Sequence, residues 1–225
     1  MNGVLKSSLL SQPILEAVAD ELISIGALSA EHSTDRLINL YPYGSRVYGC
    51  AGLQSDYDMI AVYDANVGKT EFTGPTIHVT TYGKKAFDAI LCCHDISAIE
   101  CVSLPEDAVL VNKNSPVFRL SVPHLRSSVS ETASHSFVKA KKKLTVANSL
   151  DPYRGKKSLF HAFRVVKFGC QVAKYGKVVD FSEANGYWKD IVLNNINDWE
   201  YYYGKYKPEF NSLMTEFRKL APKGP

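Results

Sequence analysis

Long apolar runs, internal repeats and metal-type cysteine spacing are all missing from this 225-residue sequence. No stretch of about 18 apolar residues occurs, so we expect no transmembrane helix and no membrane partner. The first 22 residues place acids inside their apolar stretch, unlike a secretory signal. The five cysteines lack ligand spacing, and Cys92 and Cys93 are adjacent. We therefore expect reduced, mostly buried thiols in a cytoplasmic protein.

Charge is nearly balanced over the whole chain but is concentrated in one segment. The net formal charge is +3, from 26 basic and 23 acidic residues. Between Lys139 and Lys167 nine basic residues accompany one acid, Asp151, so this segment carries +8 and the remainder −5. The small net charge favours no partner, whereas the basic segment has to be explained by any hypothesis about one.

Apolar periodicity predicts an α+β first half and an all-helical second half. Helices are predicted over Ile14–Leu28 and from Lys84 to Val102, and strands over 37–41, 58–63 and 76–82. Helical patterns dominate residues 124–220, with breaks at Asp151-Pro152, at Gly176 and around Ser182–Gly186. We predict two domains, 1–120 and 121–225, joined near the proline-bounded stretch Pro116–Pro123.

One short motif carries most of the chemical information. Gly44-Ser45 follows the first predicted strand, and after a ten-residue spacer Asp56 and Asp58 lead into the second. Carboxylates two residues apart at a strand start project from one face, where their oxygens can hold one or two Mg²⁺ ions. Gly44 allows close backbone approach, and Ser45 offers an N–H and a hydroxyl to a phosphate. The arrangement suits phosphoryl or nucleotidyl transfer; the alternative is a solvated turn.

At these residues the sequence resembles the nucleotidyltransferase superfamily typified by DNA polymerase beta, in its bacterial and phage branch. The resemblance covers roughly residues 36–103 and, more loosely, 153–176. It implies a small mixed β-sheet core with flanking helices, an NTP donor, Mg²⁺ or Mn²⁺, and pyrophosphate release. It also implies that Gly44 and Ser45 hold the triphosphate and that Asp56 and Asp58 bind the metal.

The resemblance fails at the third carboxylate, which family members usually carry on the following strand. His78 occupies the corresponding slot here. Neutral imidazole can act as a general base or a metal ligand, so His78 is a candidate catalytic residue. Glu71 and Asp88 are other candidates, or the slot is vacant and two carboxylates suffice.

Further candidates lie in two helical segments. Glu100, in an otherwise apolar helix, could pair with and orient Arg46, a further candidate for nucleotide binding. Lys157, His161 and Arg164 stack on one face of a predicted amphipathic helix. A cationic face of this kind would complete the nucleotide cleft by contacting the phosphates, or it is an ordinary solvated face.

The sequence thus predicts a metal-dependent nucleotidyltransferase that transfers a nucleoside monophosphate from an NTP to a hydroxyl acceptor. The acceptor is left open between an RNA or DNA end, a small molecule and a protein. Lys141-Lys142-Lys143 could follow a nucleic-acid acceptor, or it is simply solvated. The alternative is a catalytically degenerate module of the same fold that binds nucleotide or RNA.

Overall fold

A computed structural model describes residues 34–224, which divide into two compact units. The first unit comprises residues 34–92 and 100–118, and the second comprises residues 93–99 and 119–224. The predicted helix at Ile14–Leu28 lies outside the described residues.

Within residues 34–224 the strands form one mixed five-stranded sheet in the order β3-β4-β2-β1-β5. They are β1 Leu37–Tyr43, β2 Tyr57–Tyr63, β3 Thr70–Thr73, β4 Ile77–Gly83 and β5 Val111–Asn112. β2 and β4 pair in parallel, and the other pairs are antiparallel. The three strands that apolar patterning predicts are all present, together with two short ones that it misses.

The sheet is buried by apolar side chains of the first unit. One cluster includes Leu40, Met59 and Val79 from the three central strands. The ring of Tyr41 stacks on Phe87 with centroids 5.9 Å apart. Phe87 belongs to α2, Lys84–Cys92, which follows β4 directly. Residues 59–63 of β2 are all buried, as the continuous apolar run of that strand predicts.

The block from Lys84 to Val102, which the sequence predicts to be helical, forms two helices with a short break between them. After α2, the helix α3 spans Ile96–Ser103. Between them His94 has φ 60, the left-handed conformation that ends an α-helix. The side chain of Asp95 then accepts the Ser97 N–H at 2.9 Å and starts α3.

The second unit contains three long helices among its described residues: α4 Val122–Thr145, α5 Pro152–Tyr175 and α7 Trp199–Leu220. A short α6, Asn185–Tyr187, and a π-helical turn, Trp188–Val192, lie between α5 and α7. The predicted breaks are confirmed: Asp151 caps the start of α5, and Gly176 ends it at φ 73. A Cβ added at Gly169 would lie 2.9 Å from Val129 and 3.1 Å from Phe217, so the three helices pack closely.

Among the described residues no helix has both the length and the apolar character needed to cross a membrane. The five cysteines all lie between residues 50 and 170 and form no disulfide there. Three of them, Cys50, Cys101 and Cys170, are buried, while Cys92 and Cys93 are exposed.

Together these elements make the fold class α+β, with a mixed sheet followed by a helical C-terminal half. This is the class that the sequence predicts.

Candidate active site

The Gly-Ser turn and the second aspartate of the motif are in direct contact. β1 ends at Tyr43, and Gly44 has φ 74, a conformation that favours glycine. The carbonyl oxygen of Gly44 accepts the N–H groups of Val47 at 3.1 Å and Tyr48 at 3.2 Å, forming the one-turn helix α1, Ser45–Tyr48. A Cβ added at Gly44 would lie only 2.1 Å from Oδ2 of Asp58. Glycine is therefore required here by space as well as by backbone conformation.

Asp58 lies at the centre of the sheet edge, between the two neighbouring strands. It pairs in register with Tyr43 of β1 and with His78 of β4. Its Oδ1 lies 3.7 Å from Nδ1 of His78. The two side chains are 34% and 33% exposed, so solvent or a ligand can reach both. The structure thus brings the candidate third-slot residue next to the motif carboxylate.

Asp56 lies immediately before β2, and its side chain is exposed. Strand pairing begins at the next residue, where the Tyr57 N–H donates to the Thr76 carbonyl at 2.8 Å. Asp56 therefore stands where the spacer meets the sheet, two residues from Asp58.

Arg46 fastens the spacer to the motif. Its Nε donates to the Asp56 carbonyl at 3.3 Å and its Nη2 to the Ser55 carbonyl. Its guanidinium carbon also lies 3.8 Å from the centroid of the Tyr57 ring, a cation–π contact. We predict Arg46 as a nucleotide ligand from sequence; the contact that the structure shows is this clamp on the backbone.

Glu100 is buried, with 1% of its surface exposed. Its carboxylate accepts a hydrogen bond from the Tyr48 hydroxyl at 2.5 Å. Tyr48 belongs to α1, so the acid supports the turn that carries Gly44 and Ser45. The sequence signals this role only through an acid in an apolar helix, and it does not identify Tyr48 as the partner.

The two other candidates for the third carboxylate each form an ion pair with a lysine. Glu71 lies 2.6 Å from Lys69, which lowers the pKa of the Glu71 carboxyl first through a hydrogen bond and then through its charge. Asp88 lies 2.6 Å from Lys84 on α2. In β-sheet register Glu71 faces Thr80 rather than His78.

Lys157, His161 and Arg164 belong to α5 in the second unit. Lys157 is exposed, whereas Arg164 is only 5% exposed. Nη2 of Arg164 lies 2.9 Å from Nδ1 of His161. Because guanidinium has only donors, Nδ1 is the acceptor and the proton of the neutral ring is on Nε2.

His161 is neutral at physiological pH. Burial, followed by the charges of Arg164 and Lys139, lowers the pKa of His161 to about 3. Of the three residues predicted to form a cationic face, Lys157 is exposed, His161 is neutral, and Arg164 is buried with its guanidinium hydrogen-bonded to His161. Sequence reasoning also misses Lys156, which is buried and donates from Nζ to the Asn194 carbonyl at 2.8 Å.

Within residues 34–224 no group of three or more His, Cys, Asp and Glu side chains is arranged to hold a metal ion. The donors of the motif are the carboxylates of Asp56 and Asp58, with the His78 imidazole beside the second. Such a set is compatible with Mg²⁺, which typically uses one or two carboxylates together with substrate phosphates.

No protein-family model matches the chain, and no curated protein is significantly similar to it in sequence. Among solved structures, the chain is similar to a nucleotidyltransferase-like protein from Exiguobacterium sibiricum. The two share 12% identity over 91% of this chain and 74% of that one, with a TM-score of 0.32. A likeness this low carries no argument about function, which has to come from the site.

Proposed function

We propose that this protein is a metal-dependent nucleotidyltransferase that transfers a nucleoside monophosphate from an NTP to a hydroxyl acceptor. The observation that supports it best is that the Asp58 carboxylate packs against the Gly44 backbone. Its Oδ2 would lie 2.1 Å from a Cβ added at Gly44. This contact puts the Gly44-Ser45 turn directly beside a carboxylate that can ligate a cation.

In the proposed reaction the acceptor oxygen attacks the α-phosphorus of the NTP. The bond between the α-phosphorus and the bridging oxygen breaks, and pyrophosphate leaves. Ser45 would bind a phosphate oxygen through its N–H and hydroxyl. The acceptor proton would pass to the imidazole of His78, whose Nδ1 lies 3.7 Å from the Asp58 carboxylate.

Asp56 and Asp58 would hold Mg²⁺ or Mn²⁺. When bound, such an ion neutralises phosphate charge and orients the triphosphate. The sequence-based expectation that Lys157 and Arg164 contact the phosphates stays a prediction; within the second unit Lys157 is exposed, whereas Arg164 is buried.

The test is pyrophosphate release by the double variant Asp56→Asn, Asp58→Asn, assayed with each of the four NTPs. Loss of carboxylate charge should reduce turnover by roughly 100-fold or more. The matched control is Asp64→Asn, Asp107→Asn, which neutralises two exposed acids of the same unit. Circular dichroism and urea unfolding should show both variants folded. Undiminished pyrophosphate release by the motif variant would sink the proposal.

A second experiment follows a label on the α-phosphate of each NTP, because the molecule that receives the label identifies the donor and the acceptor together. The protein is incubated with each α-labelled NTP, Mg²⁺ or Mn²⁺, total RNA and lysate protein. Label in RNA, in a protein band or in a small molecule assigns the acceptor class; label in no fraction, with every NTP and either metal, contradicts the transfer reaction.

A second candidate is a degenerate module that binds nucleotide or RNA without catalysis. The observation that favours it is that the residue beside Asp58 on β4 is His78 rather than a carboxylate. Calorimetry with Mg·NTP distinguishes the two: binding without pyrophosphate release supports the module, whereas binding with release supports the transferase.

A further inference from the structure

We propose that the corner where α4 meets α5, residues 139–157, binds single-stranded nucleic acid. The exposed cations there come from both helices: Lys139, Lys141, Lys142, Arg154 and Lys157. Lys143 is partly exposed. Asp151 is the one acid between residues 132 and 179.

The two helix ends are in contact, so these cations are concentrated at one corner of the second unit. The Asp151 N–H donates to the Lys143 carbonyl at 2.9 Å. A Cβ added at Gly155 would lie 2.8 Å from Leu144 and 3.2 Å from Cβ of Lys143, so the last turn of α4 packs on the first turn of α5. The charge of Lys139 also contributes to lowering the pKa of His161, which lies in the third turn of α5.

Asp151 offsets only a small part of this charge. Its carboxylate caps α5 by accepting the Arg154 N–H at 3.0 Å, and it also lies 3.4 Å from Nε of the same residue. Its interactions are therefore directed at Arg154 and the helix end. The rest of the corner keeps a strongly positive balance, complementary to a phosphate backbone.

The corner also exposes apolar and aromatic surface. Val146, Leu150 and Tyr153 are 44%, 57% and 56% exposed. Nζ of Lys157 lies 5.3 Å from the centroid of the Tyr153 ring. An exposed ring among cations can stack on an unpaired base, whereas the bases of a duplex are already stacked on one another. Cations alone would bind any polyanion, whereas the exposed Tyr153 ring favours single-stranded over double-stranded nucleic acid.

This surface gives the acceptor of the proposed reaction a chemical class. Its role as an acceptor path rests on the proposed function, whereas binding itself does not. Nucleic-acid binding and nucleotidyl transfer can be tested separately, because binding is measured without NTP. The Asp56→Asn, Asp58→Asn variant should bind nucleic acid like wild type.

The experiment measures fluorescence anisotropy of a labelled 20-nucleotide single-stranded RNA, the same sequence as DNA, and its blunt duplex. For single strands, the slope of log affinity against log salt is about 0.7 per phosphate contact. Replacing Lys141, Lys142 and Lys143 by Gln should lower that slope by about 2 and weaken binding roughly 100-fold at 0.1 M salt.

Two further variants separate stacking from charge. Tyr153→Ala should weaken single-strand binding by roughly 5- to 100-fold with little change in salt slope. Asp151→Asn removes the one acid of the corner while keeping a residue that caps helices, and it should strengthen binding.

The matched control replaces Lys177, Lys219 and Lys223 by Gln, the same change of charge in the same unit. Lys177 follows the far end of α5, about 36 Å along that helix. Lys219 and Lys223 flank Ala221, whose carbonyl accepts from Arg126 in the first turns of α4. Equal losses in the control and corner variants would overturn the proposal. So would preference for the duplex, or no binding of RNA or DNA at micromolar protein.

Discussion

At Gly44 a single added methyl group would meet the carboxylate of Asp58. The backbone also stands at φ 74, so an alanine would be strained even without the neighbour. We expect Gly44→Ala to lower the free energy of unfolding by about 1–3 kcal/mol, measured by urea unfolding.

Gly52→Ala is the control for this prediction. Nothing lies within 4 Å of a Cβ at Gly52, so this substitution should change the free energy of unfolding by less than about 0.5 kcal/mol. If Gly44→Ala is as stable as Gly52→Ala, the tight packing of the motif is contradicted.

The lowered pKa of His161 makes the free energy of unfolding depend on pH. Burial lowers its pKa to about 3 from an ordinary 6.5, so the unfolded chain takes up this proton more readily than the folded one. Stability from the neutral ring is complete above pH 6.5 and is lost as the pH falls towards 3. In His161→Gln the free energy of unfolding should therefore depend less steeply on pH between 6.5 and 4.

Urea unfolding at several pH values measures this dependence. His135→Gln, which removes an exposed histidine of α4, is the matched control. A wild-type slope in His161→Gln would show that His161 is not the group that couples folding to protons.

At the scale of elements, the start of α5 depends on Asp151 and Pro152. The Asp151 carboxylate accepts the Arg154 N–H, and proline fills the first helical position. Asp151→Ala should lower the free energy of unfolding by about 0.5–2 kcal/mol, while Asp151→Asn should stay close to wild type. Thermal or urea unfolding of the pair checks this; equal losses would contradict a capping role.

The elements that sequence predicts are those with enough residues to show a period. β1, β2 and β4 contribute seven residues each, and their buried positions follow the apolar pattern. β5 has only two residues, and β3 is mostly exposed, so neither strand shows an apolar period in the sequence. The break at His94 follows Cys92 and Cys93 without glycine or proline, so no local signal separates α2 from α3.

At the scale of the molecule, sequence predicts which residues of the candidate site lie together when their proximity depends on spacing along one segment. The conjunction of Gly44-Ser45 with Asp58 is recognisable because a strand, a turn and a second strand force those residues together. His78 could be proposed because the next long strand has one polar residue at the right register. The Tyr48 hydroxyl on Glu100 and the burial of Arg164 depend on packing between distant segments, which no spacing reveals.

The spacer between the turn and the carboxylates is held by its backbone. Arg46 grips the carbonyl oxygens of Ser55 and Asp56, groups that every residue type possesses. At the tip of the spacer Leu53 is fully exposed. The number of spacer residues is therefore under mechanical constraint, whereas the chemical identity of its exposed residues 51–54 is not. Natural variation should exchange residue types freely at the exposed residues 51–54, yet a single insertion or deletion there would change the distance that the guanidinium has to span.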